Sequence, residues 1–167
     1  MTIASVTRLL IIDPQNDFCD LPETHPPTTP GDRTMTPRPA LPVPGADADM
    51  RRLAALIDRI GPGLAGIEVS LDSHHPMDIA HPGWWVDEAG RAPDPFTVIG
   101  ADDLVQGRWR TRDPAVAQRS FDYVRRLREA GRYALVVWPE HCLIGHWGHN
   151  LHGAVADSLD RWSREGR

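Results

Sequence analysis

Three short apolar runs recur along the chain, and each of them ends directly at a cluster of polar residues. Residues 9–12 lead into a stretch with two aspartates, residues 66–71 lead into Asp72-Ser73-His74, and residues 133–138 lead into a histidine and a cysteine. Runs of this length, bounded by turn-forming residues, are typical of buried parallel strands. The pattern therefore predicts three strands with these bounds, the first of which begins at Arg8.

Three segments with helical spacing of apolar residues alternate with these strands or follow them. The first ends at Gly61-Pro62-Gly63, because glycine and proline together stop a helix. The second begins at Asp113-Pro114, with the aspartate as cap and the proline at the first helical position, and it ends at Gly131. The third covers roughly residues 151–163. The predicted order of elements is therefore β-α-β-α-β-α.

Two long stretches lack any periodic apolar pattern. Residues 20–45 contain eight prolines, which fix φ and donate no hydrogen bond, so a Pro-rich loop is predicted there. Residues 72–95 form a second irregular stretch, which carries three histidines and the pair Trp84-Trp85. A loop of such length is usually functional or disordered. The Pro-rich loop is therefore interpreted either as a lid over a site or as a surface insertion.

The order of elements predicts an α/β fold of three layers, α/β/α, built on a parallel sheet with right-handed crossovers. The length of 167 residues fits one domain, covering residues 1–167. In such sheets ligands bind beyond the carboxyl ends of the strands, where all three polar clusters fall. Three strands make only half of a doubly wound sheet, and we expect the fold to be truncated after strand 3 and its helix.

Composition and charge exclude several classes of partner. The formal net charge is −5 and no basic stripe is present, so nucleic acid is not expected. No apolar segment reaches the roughly 20 residues of a membrane helix, and the first residues do not resemble a signal peptide. Two cysteines are too few for a disulfide framework. A cytoplasmic protein with no membrane partner is therefore expected.

One carboxylate and two imidazoles at two strand ends form a candidate metal site: Asp72, His74 and His141. Zinc, iron and manganese all accept such a donor set, with water in the open positions. On spacing alone, a solvated histidine after a strand is the more frequent arrangement. Two nearby histidines compete for the same role, His75 and His81.

Asp13, directly after the first strand, is the candidate general acid or base, since desolvation at the mouth of an apolar sheet raises the proton affinity of a carboxylate. On the residues alone, a turn-forming role before Pro14 is the favoured alternative. Cys142 is interpreted as a packed thiol, because adjacent side chains on an extended segment point to opposite faces and His141 therefore cannot easily activate it. His149 is the histidine of the last loop most favoured to line a site.

Taken together, three motifs in this order resemble the nicotinamidase and isochorismatase-like cysteine hydrolases. They are Asp13-Pro14-Gln15-Asn16-Asp17-Phe18, then Leu71-Asp72-Ser73-His74-His75-Pro76, then Trp138-Pro139-Glu140-His141-Cys142. Each motif alone is modest, but each lies at the end of a predicted strand. The resemblance covers about residues 8–151.

The resemblance implies an activity and a role for six positions. The family hydrolyses a small amide C–N bond, as in nicotinamide to nicotinate and ammonia, with a divalent metal that orients the pyridine nitrogen. Zinc is the first choice of metal, and iron or manganese are alternatives. The positions are the catalytic base Asp13, the substrate-pocket residues Phe18 and Gln15, and the metal ligands Asp72, His74 and His141. An isochorismatase-type hydrolysis is less favoured, because all the metal-site residues are present.

The sequence also departs from the family. The family's triad includes a lysine and a later nucleophilic cysteine, but this sequence has no lysine, and Cys142 matches the position after the metal histidine. Arginine does not replace an ammonium point charge. We therefore expect the N-terminal half of a longer hydrolase, inactive by itself. The alternative is a non-catalytic metal- or ligand-binding protein that dimerises through strand 1, whose edge would otherwise be exposed; a homo-oligomer is expected.

Overall fold

The computed structural model describes residues 6–22, 38–131 and 133–164. Their contacts divide the chain into two compact units. The first unit comprises Met1–Ser73 and His141–Arg167, and the second comprises His74–Glu140. Most of the Pro-rich loop predicted over residues 20–45 lies outside the described residues. The single domain over residues 1–167 stays a prediction.

The first unit is built on two parallel strands, β1 (Arg8–Ile12) and β2 (Gly66–Ser70). Leu9 pairs with Ile67 and Ile11 with Val69, so branched and long apolar side chains from both strands share one face of the sheet. The first strand has the predicted bounds, and the second ends one residue earlier than predicted. Both predictions are confirmed, and they provide the small parallel sheet of a mixed α/β fold.

Two helices pack against each other and against that face of the sheet: α1 (Ala46–Ile60) and α4 (Gly153–Arg164). Ile11, Ile57 and Val155 form the buried centre of this core. The partly buried residues around it are Leu9, Met50, Leu53, Ile67, Val69, Leu159 and Trp162. Both helices are therefore confirmed, because their apolar stripes have one sheet face to cover.

The amino end of α1 is capped from a distance. The two carboxylate oxygens of Asp20 accept hydrogen bonds from the backbone N–H groups of Asp47, at 2.8 Å, and Gly45, at 2.7 Å. These bonds lower the pKa of Asp20 below its ordinary value. The carboxylate of Asp47 in turn lies 2.8 Å from Nε2 of the buried His152, next to the start of α4. Asp20, in the segment after β1, thus caps α1, and Asp47 in the first turn of α1 contacts the residue before α4.

The opposite face of β1 departs from the prediction of a strand buried on both sides. Leu10 and Ile12 are 63% and 68% exposed, whereas Ile11 between them is 5% exposed. A continuous apolar run predicts burial on both faces, but the helices of the first unit cover only one face. The described residues of this unit therefore leave an apolar strip on β1.

The second unit contains two antiparallel pairs of very short strands. β3 (Trp85–Val86) pairs with β5 (Arg110–Thr111), and β4 (Val98–Ile99) pairs with β6 (Leu135–Val136). Its helices are α2 (Ala101–Val105) and α3 (Ala117–Glu129). Its buried core consists of Trp85, Ile99, Ala101, Val124, Leu135 and Val137. None of the helices described in either unit has the length and apolar character needed to cross a bilayer.

The third predicted strand needs correction. Residues 133–138 yield only the two-residue strand β6, which pairs antiparallel with β4 instead of extending a parallel sheet. The neighbouring Val137 accepts a backbone hydrogen bond from Phe96 and donates one to Thr97. The segment before α2 therefore pairs with the backbone of this apolar run. An apolar run specifies burial but not its pairing partner. The expected three-stranded parallel sheet is therefore wrong for the described residues, which contain one parallel pair.

The second predicted helix is confirmed with a modified start. The Asp113 carboxylate accepts a hydrogen bond from the backbone N–H of Ala115 at 2.9 Å, which makes it the predicted cap. A single 3-10 turn over Pro114–Val116 then precedes α3. The helix ends before Gly131, whose φ of 64° lies in the left-handed region that favours glycine. Local signals thus fix both ends of this helix.

Candidate functional site

The candidate site of the first unit lies at the carboxyl ends of β1 and β2. Asp13 directly follows β1, and Asp72 lies two residues after the end of β2. Because the strands are parallel, these ends meet at one edge of the sheet, where ligands bind in α/β proteins. The segment that begins at His141 belongs to the same unit and places His141 and His149 near this edge.

The carboxylate of Asp13 is held by the last residue of the neighbouring strand. The Ser70 hydroxyl donates to Asp13 Oδ1 at 2.7 Å, and the Asp13 backbone N–H donates to the Ser70 carbonyl at 3.2 Å. Asp13 has a φ of 49°, a left-handed conformation that aspartate tolerates better than most residues. The candidate base is therefore half-buried and fixed at the sheet edge.

The buried amide of Gln15 links three parts of the site. Its Oε1 accepts from the backbone N–H of Asp72 at 2.8 Å, and its Nε2 donates to the Asp72 carbonyl at 2.8 Å and to the His149 carbonyl at 2.9 Å. The side chain is 0% exposed, and these partners are backbone atoms. Gln15 thus fixes the positions of residues at the site, and its predicted role in a substrate pocket stays a prediction.

Asp17 is a buried carboxylate that stabilises the turn after His141. Its Oδ2 accepts from the backbone N–H of Cys142 at 2.6 Å, and its Oδ1 accepts from the N–H of Ala40 at 3.0 Å. Gly148 approaches this carboxylate so closely that no methyl group fits between them. The sequence singles out Asp17 only as part of the first motif, since Cys142 and Gly148 lie far away in the chain.

Further hydrogen bonds connect the first motif to the last loop of the unit. Asn16 donates from its side chain to the Trp147 carbonyl at 2.9 Å and from its backbone to the Asn150 carbonyl at 2.9 Å. The backbone N–H of His152 donates to the Pro14 carbonyl at 2.8 Å. The motif after β1 therefore fixes the position of the backbone over residues 147–152.

Asp72 and His141, two of the predicted metal ligands, lie side by side in the first unit. His141 Nε2 is 3.1 Å from Asp72 Oδ2, and the imidazole is buried. The ring of Phe18 meets the His141 ring edge-on, with 5.7 Å between the ring centroids. Phe18, predicted to line a substrate pocket, therefore borders the predicted metal ligand. Its pocket role itself stays a prediction.

The third predicted ligand, His74, belongs to the second unit, where it has an imidazole and a carboxylate beside it. Its ring centroid lies 4.8 Å from that of the buried His81, and its Nδ1 lies 3.0 Å from Asp78 Oδ2. Burial raises the pKa of Asp78, but hydrogen bonds from the Ala80 N–H and His74 outweigh it, and the net shift is downward. His75, by contrast, is exposed. Of the two competing histidines, His81 is therefore the one that lies beside the predicted ligand His74.

Both cysteines are buried thiols. Burial, reinforced by the negative charges of Asp47 and Asp20, raises the pKa of Cys19 to about 11. Burial and the charges of nearby aspartates, Asp17 first among them, also raise the pKa of Cys142. Since the thiolate is the nucleophilic form, neither thiol is activated near neutral pH.

A solved nicotinamidase shares this fold. The crystal structure of the yeast nicotinamidase Pnc1p bound to the inhibitor nicotinaldehyde matches 93% of this chain with a TM-score of 0.53 and 16% sequence identity. The matched part is 53% of that protein, so the chain spans about half of its length. No protein-family model matches the chain, and no curated protein matches its sequence. The likeness supports a mixed α/β fold of the kind seen in that nicotinamidase.

Proposed function

We propose that the chain belongs to an amide hydrolase of the nicotinamidase type, which cleaves a small amide C–N bond. Asp13 is the proposed base, and Asp72, His74 and His141 are the proposed ligands of a divalent metal. The observation that carries the proposal is the 3.1 Å approach of Asp72 Oδ2 and His141 Nε2 at the sheet edge that also holds Asp13. The likeness in fold to a nicotinamidase supports the same reaction class.

Asp72 and His141, both in the first unit, fit two ligand positions of a divalent ion. Ligand atoms about 2 Å from one ion lie roughly 3 Å apart, as Asp72 Oδ2 and His141 Nε2 do. His74 follows Asp72 by two residues in the chain, and His81 is a further imidazole beside His74. Carboxylate and imidazole donors suit zinc first, with iron and manganese as alternatives. When bound, the ion would supply a Lewis acid that orients a ring nitrogen or carbonyl of the substrate.

The remaining chemistry is assigned to the chain's own groups. Ser70 donates to Asp13 Oδ1, which orients the carboxylate so that Oδ2 can take a proton from an attacking nucleophile. Phe18, next to His141, would offer an aromatic surface to a planar substrate. Neither Cys19 nor Cys142 is an activated thiol. We therefore expect little or no thiol-dependent amide hydrolysis from this chain alone.

Metal content tests the ligand assignment. We expect the purified chain to bind about one zinc ion, and Asp72→Ala or His141→Ala to weaken binding more than about tenfold, because even losing a residue that only supports a ligand costs roughly 10–100-fold. Equilibrium dialysis with elemental analysis measures both. His75→Ala, which changes an exposed histidine in the same motif, is the matched control and should bind like the unaltered chain. Unchanged binding in both ligand variants would refute the assignment.

A second candidate function, a ligand-binding dimer, is favoured by the apolar strip on β1. Leu10 and Ile12 are mostly exposed, and a second copy that packs its own β1 against this face would cover them. We expect the chain to be a dimer in light scattering at micromolar concentrations, and the double variant Leu10→Glu/Ile12→Glu to be a monomer, because charges do not bury at an apolar interface. Val105→Glu, at a residue 73% exposed on α2, is the control and should stay dimeric. A monomeric unaltered chain would contradict this candidate.

A further inference from the structure

Ser73 and His149 form a hydrogen-bonded pair that the proposed amide hydrolysis does not use. The Ser73 hydroxyl lies 2.8 Å from His149 Nε2, and its contact with the Leu71 carbonyl is longer, at 3.3 Å. Ser73 is exposed and His149 is half-buried, so the hydroxyl is open to solvent while the ring is partly enclosed. The two residues are 76 positions apart in the sequence and belong to the same unit.

The backbone on both sides of this pair is fixed by one buried side chain. The Gln15 amide hydrogen-bonds to the backbone N–H and carbonyl of Asp72, the residue before Ser73, and it also donates to the His149 carbonyl. His149 is the last residue of a 3-10 turn, and its N–H donates to the His146 carbonyl at 3.2 Å. The serine and the histidine are therefore held in register by a common anchor, as a nucleophile and its base must be.

We propose that Ser73 and His149 act as nucleophile and general base on small carboxylic esters. A separation of 2.8 Å lies within the range of roughly 2.6–3.2 Å for such pairs. The pair requires neither a thiol nor a metal, nor does it require Asp13. It is thus independent of the proposed amide hydrolysis and adds a nucleophile to a chain whose two thiols are buried.

The reaction balances without any co-reactant other than water. Ser73 Oγ forms a bond to the ester carbonyl carbon while its proton passes to His149 Nε2. The bond from that carbon to the ester oxygen then breaks, and His149 returns the proton to the departing alkoxide. Water attacks the acyl-serine with His149 again as base, the bond to Oγ breaks, and the acid and a free Ser73 hydroxyl result. Esters are the proposed class because an alkoxide leaves more readily than an amide nitrogen.

Covalent labelling with a fluorophosphonate probe tests the pair in the full chain. We expect one adduct per chain, located at Ser73 by peptide mass spectrometry, and parallel hydrolysis of 4-nitrophenyl acetate. Ser73→Ala should abolish the adduct, and His149→Gln should slow its formation at least about 100-fold, the lower end of the range of roughly 10²–10⁴ for loss of a general base. Ser163→Ala and His146→Gln, both at exposed positions, are the matched controls and should label normally.

The outcomes separate this proposal from the metal site. Labelling that persists in a chelator supports the pair as stated, whereas labelling that requires added zinc contradicts it, because the hydroxyl would then be activated by the ion. Absence of an adduct, an adduct at another residue, or an unchanged rate in His149→Gln would each overturn the proposal. Circular dichroism of every variant confirms that the comparison is made between folded chains, and the labelling of the unaltered chain decides the question if a variant fails to fold.

Discussion

Replacing Gly148 with alanine is expected to destabilise the protein by about 2–3 kcal/mol, at the upper end of what overpacking costs. The added methyl group would overlap the carboxylate of Asp17. That carboxylate cannot simply move, because it accepts hydrogen bonds from the backbone N–H groups of Cys142 and Ala40, and Asp17 is only 6% exposed. Displacing it would leave a buried charge with fewer donors, which is costly in a protein interior. Urea unfolding followed by circular dichroism measures the loss.

Gly153→Ala provides the matched control for this result. Gly153 is the first residue of α4, and an added methyl group there meets no described atom within 4 Å. Alanine is the better helix former by up to about 1 kcal/mol, so this variant should be neutral or slightly more stable. Equal losses in both variants would contradict the packing of Gly148 against Asp17. They would also contradict the hydrogen bond from Cys142 to Asp17 as the interaction that stabilises the turn after His141.

The parts of the fold that the sequence predicts correctly are those with local causes. β1 and β2 follow from short apolar runs, and α1 stops where Gly61-Pro62-Gly63 begins. Asp113 caps its helix as its position before a proline indicates. In each of these cases the signal and the structure lie within a few residues of each other. No knowledge of the rest of the chain is needed.

The parts that fail depend on partners distant in sequence. In the apolar run over residues 133–138 only Leu135 and Val137 are buried, whereas Tyr133 is 74% exposed, and the run pairs with β4 in an antiparallel arrangement. The strands β3 and β5 are two residues long, too short for any periodic pattern. The exposure of Leu10 and Ile12 likewise depends on which elements are present to cover them. Tertiary pairing overrides the local pattern in all these cases.

In the candidate site, too, the sequence identifies individual residues but not the contacts between residues far apart in the chain. The motifs single out Asp13, Asp72 and His141, and the structure brings Asp72 and His141 together while holding Asp13 at the same sheet edge. Their catalytic and metal-binding roles stay predictions. The sequence does not reveal that Gln15 hydrogen-bonds to backbone on both sides of the site, or that Ser73 meets His149. Such contacts between residues far apart become visible only when the chain is folded.

Both thiols are expected to resist a thiol reagent in the native protein and to react together once it unfolds. With a pKa of about 11, only about one Cys19 thiol in a thousand is ionised at pH 8, against roughly one in four for an ordinary cysteine. Burial, with both side chains at most 1% exposed, limits access further. Reaction with Ellman's reagent at pH 8 should therefore be at least about 100-fold slower in the native state, and the rate should keep rising as the pH approaches 11. Guanidinium should release two reactive thiols per chain.

This protection has a direct consequence for function, because a protected thiol cannot attack an amide. The control Val105→Cys, at an exposed position on α2, should add one thiol that reacts at once in the native protein. The unaltered chain should release no ammonia from nicotinamide, before or after iodoacetamide treatment. If instead one native thiol reacted rapidly, and ammonia release disappeared both with its alkylation and with Asp13→Ala, a buried cysteine would have to become exposed during turnover. Cys142, next to the proposed metal ligand His141, would then be the nucleophile, and the chain would hydrolyse an amide without a lysine.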